Sequence, residues 1–384
     1  MARLALLAVA LAALPACSSE GGGGEGLRRL AQFVEPDFDW DAYDPVAAAA
    51  AAADTTGLDP VLADSALARF EELPRLRALV VARHGEVLLE RYRAGYGLDA
   101  PANVKSVSKS VLSAVVGAAR AEGAVPDLDA PVAPLFEREL ARLDTVAPAL
   151  RALSWRDLLT MRAGLESTSG RGYARWVASP DWVQSALDRP FVAEPGAERI
   201  YSTGTTHLLG VALARQTGEG LAALTRRTLG GPLGLPVPAW PTDPQGNAFG
   251  GNDMALSPRF LIRLGEAYRQ GGVYDGRRVV PETWVRASWR PVADAGWGRG
   301  YGYGRLWFTK TVRVEGDAGS ETVPVFFAWG YGGQYLFVVP DLALTVVALS
   351  TPDVPTFEGG HGPAVHALLD DVLIPAAQRG GRPL

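Results

Sequence analysis

At 384 residues, 48% of them hydrophobic, the chain is long enough to bury one large core or two interlocked lobes. A net charge of −5 and a pI near 5.5, with arginines scattered among acids, exclude the basic footprint of a nucleic-acid binder. The single cysteine excludes a framework of internal disulfides.

The chain begins with one basic residue, Arg3, an apolar run over residues 4–14, and then Pro15-Ala16-Cys17 before an abruptly polar stretch. This is the pattern of a secretory signal, and the run is too short for a spanning helix. Leu14-Pro15-Ala16-Cys17 resembles a bacterial lipobox. The resemblance implies that residues 1–17 are a lipoprotein signal peptide, with Cys17 lipidated and the protein exported and anchored on the periplasmic side of the cell envelope, in either membrane. A lone thiol in an oxidising compartment is a liability unless it is acylated. The alternative is ordinary cleavage nearby, with Cys17 discarded.

Residues 18–59 read as a tether and an N-terminal arm: serine and glycine to residue 26, then polyalanine over 47–53 between aspartates, as a helix or ordered arm. Residues 60–384 are the expected folded domain. A helix is predicted over 60–73 and two strands over 78–82 and 86–92, joined at Arg83-His84-Gly85. Val107, Val111, Leu112, Val115, Val116 and Ala119 then recur at helical spacing, predicting a helix to about residue 123 with one buried stripe. From 124 to about 272 the pattern is mostly helical, including 155–159 behind a Ser154 cap and 206–216 before Thr217-Gly218. Strands return at 303–308, 325–328, 334–339 and 344–349. A final helix carries Val365, Leu368, Leu369, Val372 and Leu373. The expected class is α+β: an antiparallel sheet built from both chain ends (about 60–123 and 273–384), a helical part inserted between them (about 124–272), and a cleft at the junction.

Ser106 falls in the first turn of the helix after the hairpin, with Lys109 three residues on and on the same face. A serine hydroxyl becomes a nucleophile when a neighbouring base takes its proton, and a lysine amine of lowered pKa can do so. The helix N-terminus, the positive charge of Lys105 and the apolar stripe are each expected to disfavour the ammonium. The same N-terminus offers backbone N–H groups to an oxyanion. Lysine occurs only at 105, 109 and 310, and arginine, which cannot give up its proton, meets every other demand for positive charge. A Ser-capped helix start with incidental lysines is the competing reading.

Ser106-Val107-Ser108-Lys109, Tyr201-Ser202-Thr203 and Trp329-Gly330-Tyr331-Gly332-Gly333-Gln334, in that order, resemble the serine β-lactamase and penicillin-binding-protein superfamily. The likeness covers about residues 76–377, and is greatest to the class C β-lactamase-related hydrolases of the esterase and 6-aminohexanoate-dimer hydrolase branch. Trp155–Leu165, Pro195-Gly196 and residues 231–235 support it. The resemblance implies a β-lactamase/transpeptidase-like fold. It implies Ser106 as the acylated nucleophile, Lys109 as its proton acceptor, Tyr201 as proton relay, and the N–H groups of Ser106 and Tyr331 as the oxyanion hole. It calls for no cofactor and no metal, and its partner would be a small ester, amide or β-lactam-like substrate.

Two departures bear on that substrate. Thr203 stands where the second motif usually ends in Asn, and Ala328 where the third often begins with Lys, which argues against efficient β-lactam or D-Ala-D-Ala chemistry. Lys310-Thr311 is set aside as a surface lysine at a strand end. Tyr173, Trp176, Asp181, Thr203, Trp329 and Gly330 are candidate substrate contacts, with core packing the alternative for the aromatic segment. The four histidines lack zinc-protease or triad spacing, and His207 is the one nearest a motif. The competing functions are a sensor or binding module that acylates without turnover, a β-lactamase or D-amino-acid peptidase, and a structural envelope protein on a reused fold.

Overall fold

The structure is a computed structural model that describes residues 38–52, 57–238, 240–296, 300–316 and 319–380. The signal segment and Cys17 lie outside the described residues. The polyalanine stretch forms helix α1 (Pro45–Ala51), started by Asp44, whose carboxylate accepts from the Val46 and Ala47 amides. Asp59 starts α2 (Pro60–Glu72) in the same way, again with proline in the first turn.

The centre is an eight-stranded sheet in which every neighbouring pair is antiparallel. We number its strands β1 (Leu76–Arg83), β2 (Glu86–Tyr92), β3 (Ala293–Asp294), β4 (Gly302–Tyr303), β5 (Phe308–Gly316), β6 (Gly319–Gly330), β7 (Gln334–Val339) and β8 (Leu344–Ser350). Their spatial order is β2-β1-β8-β7-β6-β5-β4-β3. The N-terminal hairpin and the C-terminal meander therefore share one sheet, joined by the β1–β8 pairing. Strands β7 and β8 are buried at every position, which is why they read as continuous apolar runs rather than as alternation.

Helix α3 (Val107–Ala121) packs against β6 on one side and against α4 (Thr203–Thr217) on the other, at the boundary of sheet and helical part. It is buried on all sides from Val107 to Ala119, not along one stripe. Two of its three serines are satisfied by backbone carbonyls: Ser108 donates to Lys105 O at 2.6 Å, and Ser110 to Leu306 O at 2.6 Å.

Three local expectations change. The segment 303–308 is not one strand, because the chain turns at Gly304–Leu306, with Leu306 at φ 61°, before β5 begins. β5 and β6 form a hairpin much longer than 325–328, since their outer ends carry polar residues on a face left to solvent. Lys310 is no surface residue: it sits opposite Val325 in mid-strand, fully buried, with Nζ 2.7 and 2.5 Å from the two Asp370 oxygens and 2.9 Å from His366 Nδ1. Those partners arrive from a helical stretch some sixty residues away, and nothing local to Lys310 reveals them.

Candidate active site

The loop before α3 places Ser106. Ala102–Asn103 pairs with Ala255–Leu256, and Val104 N–H donates to Met254 O at 3.0 Å, so the approach to Ser106 is tied to the segment 250–256. Lys105 then takes a left-handed conformation, φ 49°, its N–H held by Asn103 Oδ1 at 2.8 Å. This turn aims Ser106 out of the helix start as its N-cap residue, whose N–H has no acceptor within the helix.

Lys109 is 2% exposed, and its Nζ has three neighbours: Ser106 Oγ at 3.0 Å, Gly251 O at 2.9 Å and Thr203 Oγ1 at 3.4 Å. That set matches a neutral amine. Its two N–H bonds can go to Gly251 O and Thr203 Oγ1, which leaves the lone pair for the serine proton. Burial lowers the amine to about 7, against a partial rise from the charge of Asp253. Lys105 does not supply the push expected of it. Its ammonium turns away to Asp253 at 3.3 Å and to Asp353 at 3.4 Å.

Tyr201 comes from the extended stretch before α4, its ring centroid 5.2 Å from Lys109 Nζ. Burial raises its phenol to about 12, offset in part by a hydrogen bond with the Ser106 side chain and by the charge of Arg199. At neutral pH it is therefore a phenol that can give a proton. Arg199 lies over the Tyr303 ring at 4.8 Å and donates to Asp294 O at 3.0 Å.

The end of β6 supplies the other wall. A Cβ added to Gly330 would stand 3.1 Å from Ser106 N, so only glycine lets this strand lie against the Ser106 amide. Tyr331 follows, so its backbone and that of Ser106 belong to two segments in contact. The turn is held from behind: Gly332 N–H donates to Thr356 Oγ1 at 3.0 Å, and the Arg75 guanidinium donates to the carbonyls of Val354, Pro355 and Glu358, each at 2.9 Å. Gln334 clasps Ser350 through its N–H and C=O at 3.0 and 2.9 Å.

The segment 249–254 was not singled out in the sequence, yet it completes the site. Gly251, at φ 72°, presses its backbone on Lys109, and a Cβ there would lie 2.9 Å from Lys109 Cγ. Asn252 brings its Oδ1 to 3.4 Å from Ser106 Oγ, and its Nδ2 donates to Tyr173 OH and Asp253 Oδ2, each at 3.2 Å. The amide missing at Thr203 is thus present, carried by another segment. Its only sequence signal is the turn-forming Gly250-Gly251-Asn252-Asp253.

His207 explains why that segment is where it is. Its Nδ1 accepts from Gly250 N–H at 3.3 Å, which leaves Nε2–H to donate to Asp243 Oδ2 at 3.0 Å. Trp176, Trp182 and Phe249 enclose the ring. Trp176 is therefore core rather than cleft, its indole donating to Trp182 O at 3.0 Å. Asp181 is no substrate contact either: it starts the helix Trp182–Leu187 and pairs with Arg142 at 3.1 Å. Tyr173 does reach the site through Asn252, and Trp329 lies at its edge against Phe308 and Phe357. Among the described residues no group of His, Cys, Asp and Glu could hold a metal ion, and no helix is long and apolar enough to cross a membrane.

The chain is similar to known proteins in sequence and in fold. The family model described as Beta-lactamase matches residues 75–370, well over half of the chain. A 6-aminohexanoate-dimer hydrolase of Paenarthrobacter ureafaciens is 28% identical over 355 residues, covering 85% of this chain and 87% of that one. Among solved structures, a class C beta lactamase from Rhodobacter sphaeroides superposes with a TM-score of 0.60 at 18% identity, covering 81% of this chain and 99% of the other. A D-stereospecific amidohydrolase from Streptomyces superposes at 0.59 with 20% identity, covering 80% and 97%.

Proposed function

Because the chain belongs to the beta-lactamase family and is a serine hydrolase of it, we propose that it cleaves an ester or amide through an acyl-enzyme on Ser106. The observation that carries this is Lys109: a buried amine 3.0 Å from the hydroxyl, held by a carbonyl and a hydroxyl rather than by a carboxylate, and lowered to about 7.

In the proposed sequence Ser106 Oγ attacks the substrate carbonyl carbon while Lys109 Nζ takes the serine proton. The charge that develops on the carbonyl oxygen is met by the N–H groups of Ser106 and Tyr331. When the bond to the leaving group breaks, Tyr201 gives its phenolic proton to the departing nitrogen or oxygen and is reprotonated from Lys109; the Arg199 charge steadies the transient phenolate. Water then attacks the acyl carbon through the same groups in reverse, releasing the carboxylic acid and free Ser106. Asn252 and Thr203 are placed to orient substrate and lysine.

Ala328, fully buried opposite Leu336, offers no cation to a substrate carboxylate, which supports a simple ester or amide over a β-lactam. The test is turnover of a p-nitrophenyl acyl ester beside the Ser106→Ala variant, with intact mass read early. An acyl adduct on the wild type and none on the variant is expected. A folded wild type with neither adduct nor excess turnover would point instead to the non-turnover binding module. Anchoring through Cys17 is likewise proposed. Its check is incorporation of a labelled fatty acid, abolished by Cys17→Ala.

A further inference from the structure

Toward the C-terminal end of α3, remote from Ser106, lies a cavity of about 380 Å³ whose lining includes Gly117, Arg120, Leu128, Arg156, Trp284 and Arg305. Gly117 is eleven residues beyond the nucleophile, about 16 Å along the helix axis, and no residue placed in the active site lines this space. Gly117 is also what admits the tryptophan: a Cβ there would stand 2.5 Å from the Trp284 indole. The Arg305 guanidinium lies over that indole, 4.6 Å from its centroid.

Three guanidinium groups therefore converge on one space. Two of them already have acceptors. Arg156 binds Asp129 in bidentate fashion at 2.5 and 2.9 Å, and Arg120 reaches Asp127 at 3.4 Å and the Pro126 carbonyl. The Arg305 guanidinium has no carboxylate or carbonyl acceptor among the described residues, only the indole face. Burial lowers it to about 10, and the charges of Arg156 and Arg120 push the same way. A half-buried cation facing a cavity, with two like charges beside it, lacks a counter-ion.

We infer that this cavity binds a small carboxylate monoanion with a short apolar tail, its carboxylate held on the fork of Arg305 and its tail lying against Leu128 and Trp284. The pairing selects a monoanion. Arg156 and Arg120 already hold Asp129 and Asp127, and the charge of Asp157 also acts on Arg156, so the single fork of Arg305 is what remains for one carboxylate. This site is independent of the reading given to Ser106.

The test is calorimetric titration of the full chain with hexanoate, acetate and inorganic phosphate, ionic strength being held constant with sodium chloride. One hexanoate per chain is expected, with Kd of about 1 mM or tighter, acetate weaker and phosphate weaker still. Arg305→Met should raise the hexanoate Kd at least about tenfold and Arg305→Lys about threefold, because the ammonium keeps the charge and loses the fork. Arg156→Gln, at a more exposed position, should weaken hexanoate about threefold and serves as the readout if Arg305→Met does not fold. The inference is overturned by the absence of saturation up to about 20 mM hexanoate, by phosphate binding tighter than hexanoate, or by folded arginine variants that bind as wild type.

Discussion

Two lysines of this chain are almost completely removed from water, and they meet opposite kinds of partner. Lys310 meets a carboxylate: Asp370 and His366 surround its Nζ in mid-sheet, and although burial lowers the lysine and raises the aspartate, their mutual attraction opposes both shifts. Lys109 meets only neutral acceptors, with the nearest charge, Asp253, already shared with Lys105 and Asn103. Burial is common to both. What separates a structural ion pair from a titratable base is whether a carboxylate was buried alongside.

The largest expected effect falls on the proposed base. Lys109→Arg puts a permanent cation where the titratable amine stood, so acylation measured as kcat/KM should fall by about 10⁴ or more. The corresponding change at Lys310 should act on stability alone. Lys310→Met leaves the Asp370 carboxylate buried and unpaired, and should cost about 3–5 kcal/mol in chemical denaturation, with kcat of the folded fraction unchanged. Lys109→Met should do the reverse and raise the melting temperature. The sign follows from linkage. The amine's folded value, about 7, lies below its ordinary value, so the unfolded chain binds the extra proton between them and the native lysine is most costly below pH 7. The gain should therefore be larger at pH 6 than at pH 9.

Tyr201→Phe sharpens the division of labour between base and acid. An amide or alkyl ester needs a proton on its leaving group and should lose about a hundredfold, whereas a p-nitrophenyl ester, whose leaving group departs as an anion, should lose far less. Equal losses on both substrates would assign the phenol a positioning role. The mildest perturbation is pH itself: kcat/KM for acylation should rise through an apparent value near 7 and level off above it, that value belonging to the coupled Lys109–Tyr201 pair.

Much of this was legible in the residues. Ser106 and Lys109 are three apart on one helix, so local geometry alone brings amine to hydroxyl. The apolar runs over 78–82, 334–339 and 344–349 declared strands, and the order of the three motifs identified the superfamily. Illegible were the contributions of residues distant in the chain. Asn252 restores an amide whose loss at Thr203 was read from the motif, and it does so from a loop held by His207 and Asp243, residues with no local signature of that task. Lys310 looked like a surface residue because its counter-ion lies in a different element. Trp176 and Asp181 looked like cleft residues because an aromatic-rich, acidic segment reads the same whether it lines a pocket or builds a core and a helix cap.

The sequence by itself determined the candidate nucleophile, the candidate base beside it, most of the strands and helices that carry them, and the family to which they belong, because each depends on spacing within one element or on motif order. Only the tertiary structure decided that Lys109 is buried without a carboxylate, that Gly251 and Asn252 close the site, and that Arg305 faces a cavity without a counter-ion. Those outcomes rest on desolvation and on contacts between segments far apart in the chain, and the free energy of a buried charge is set by what else is buried with it.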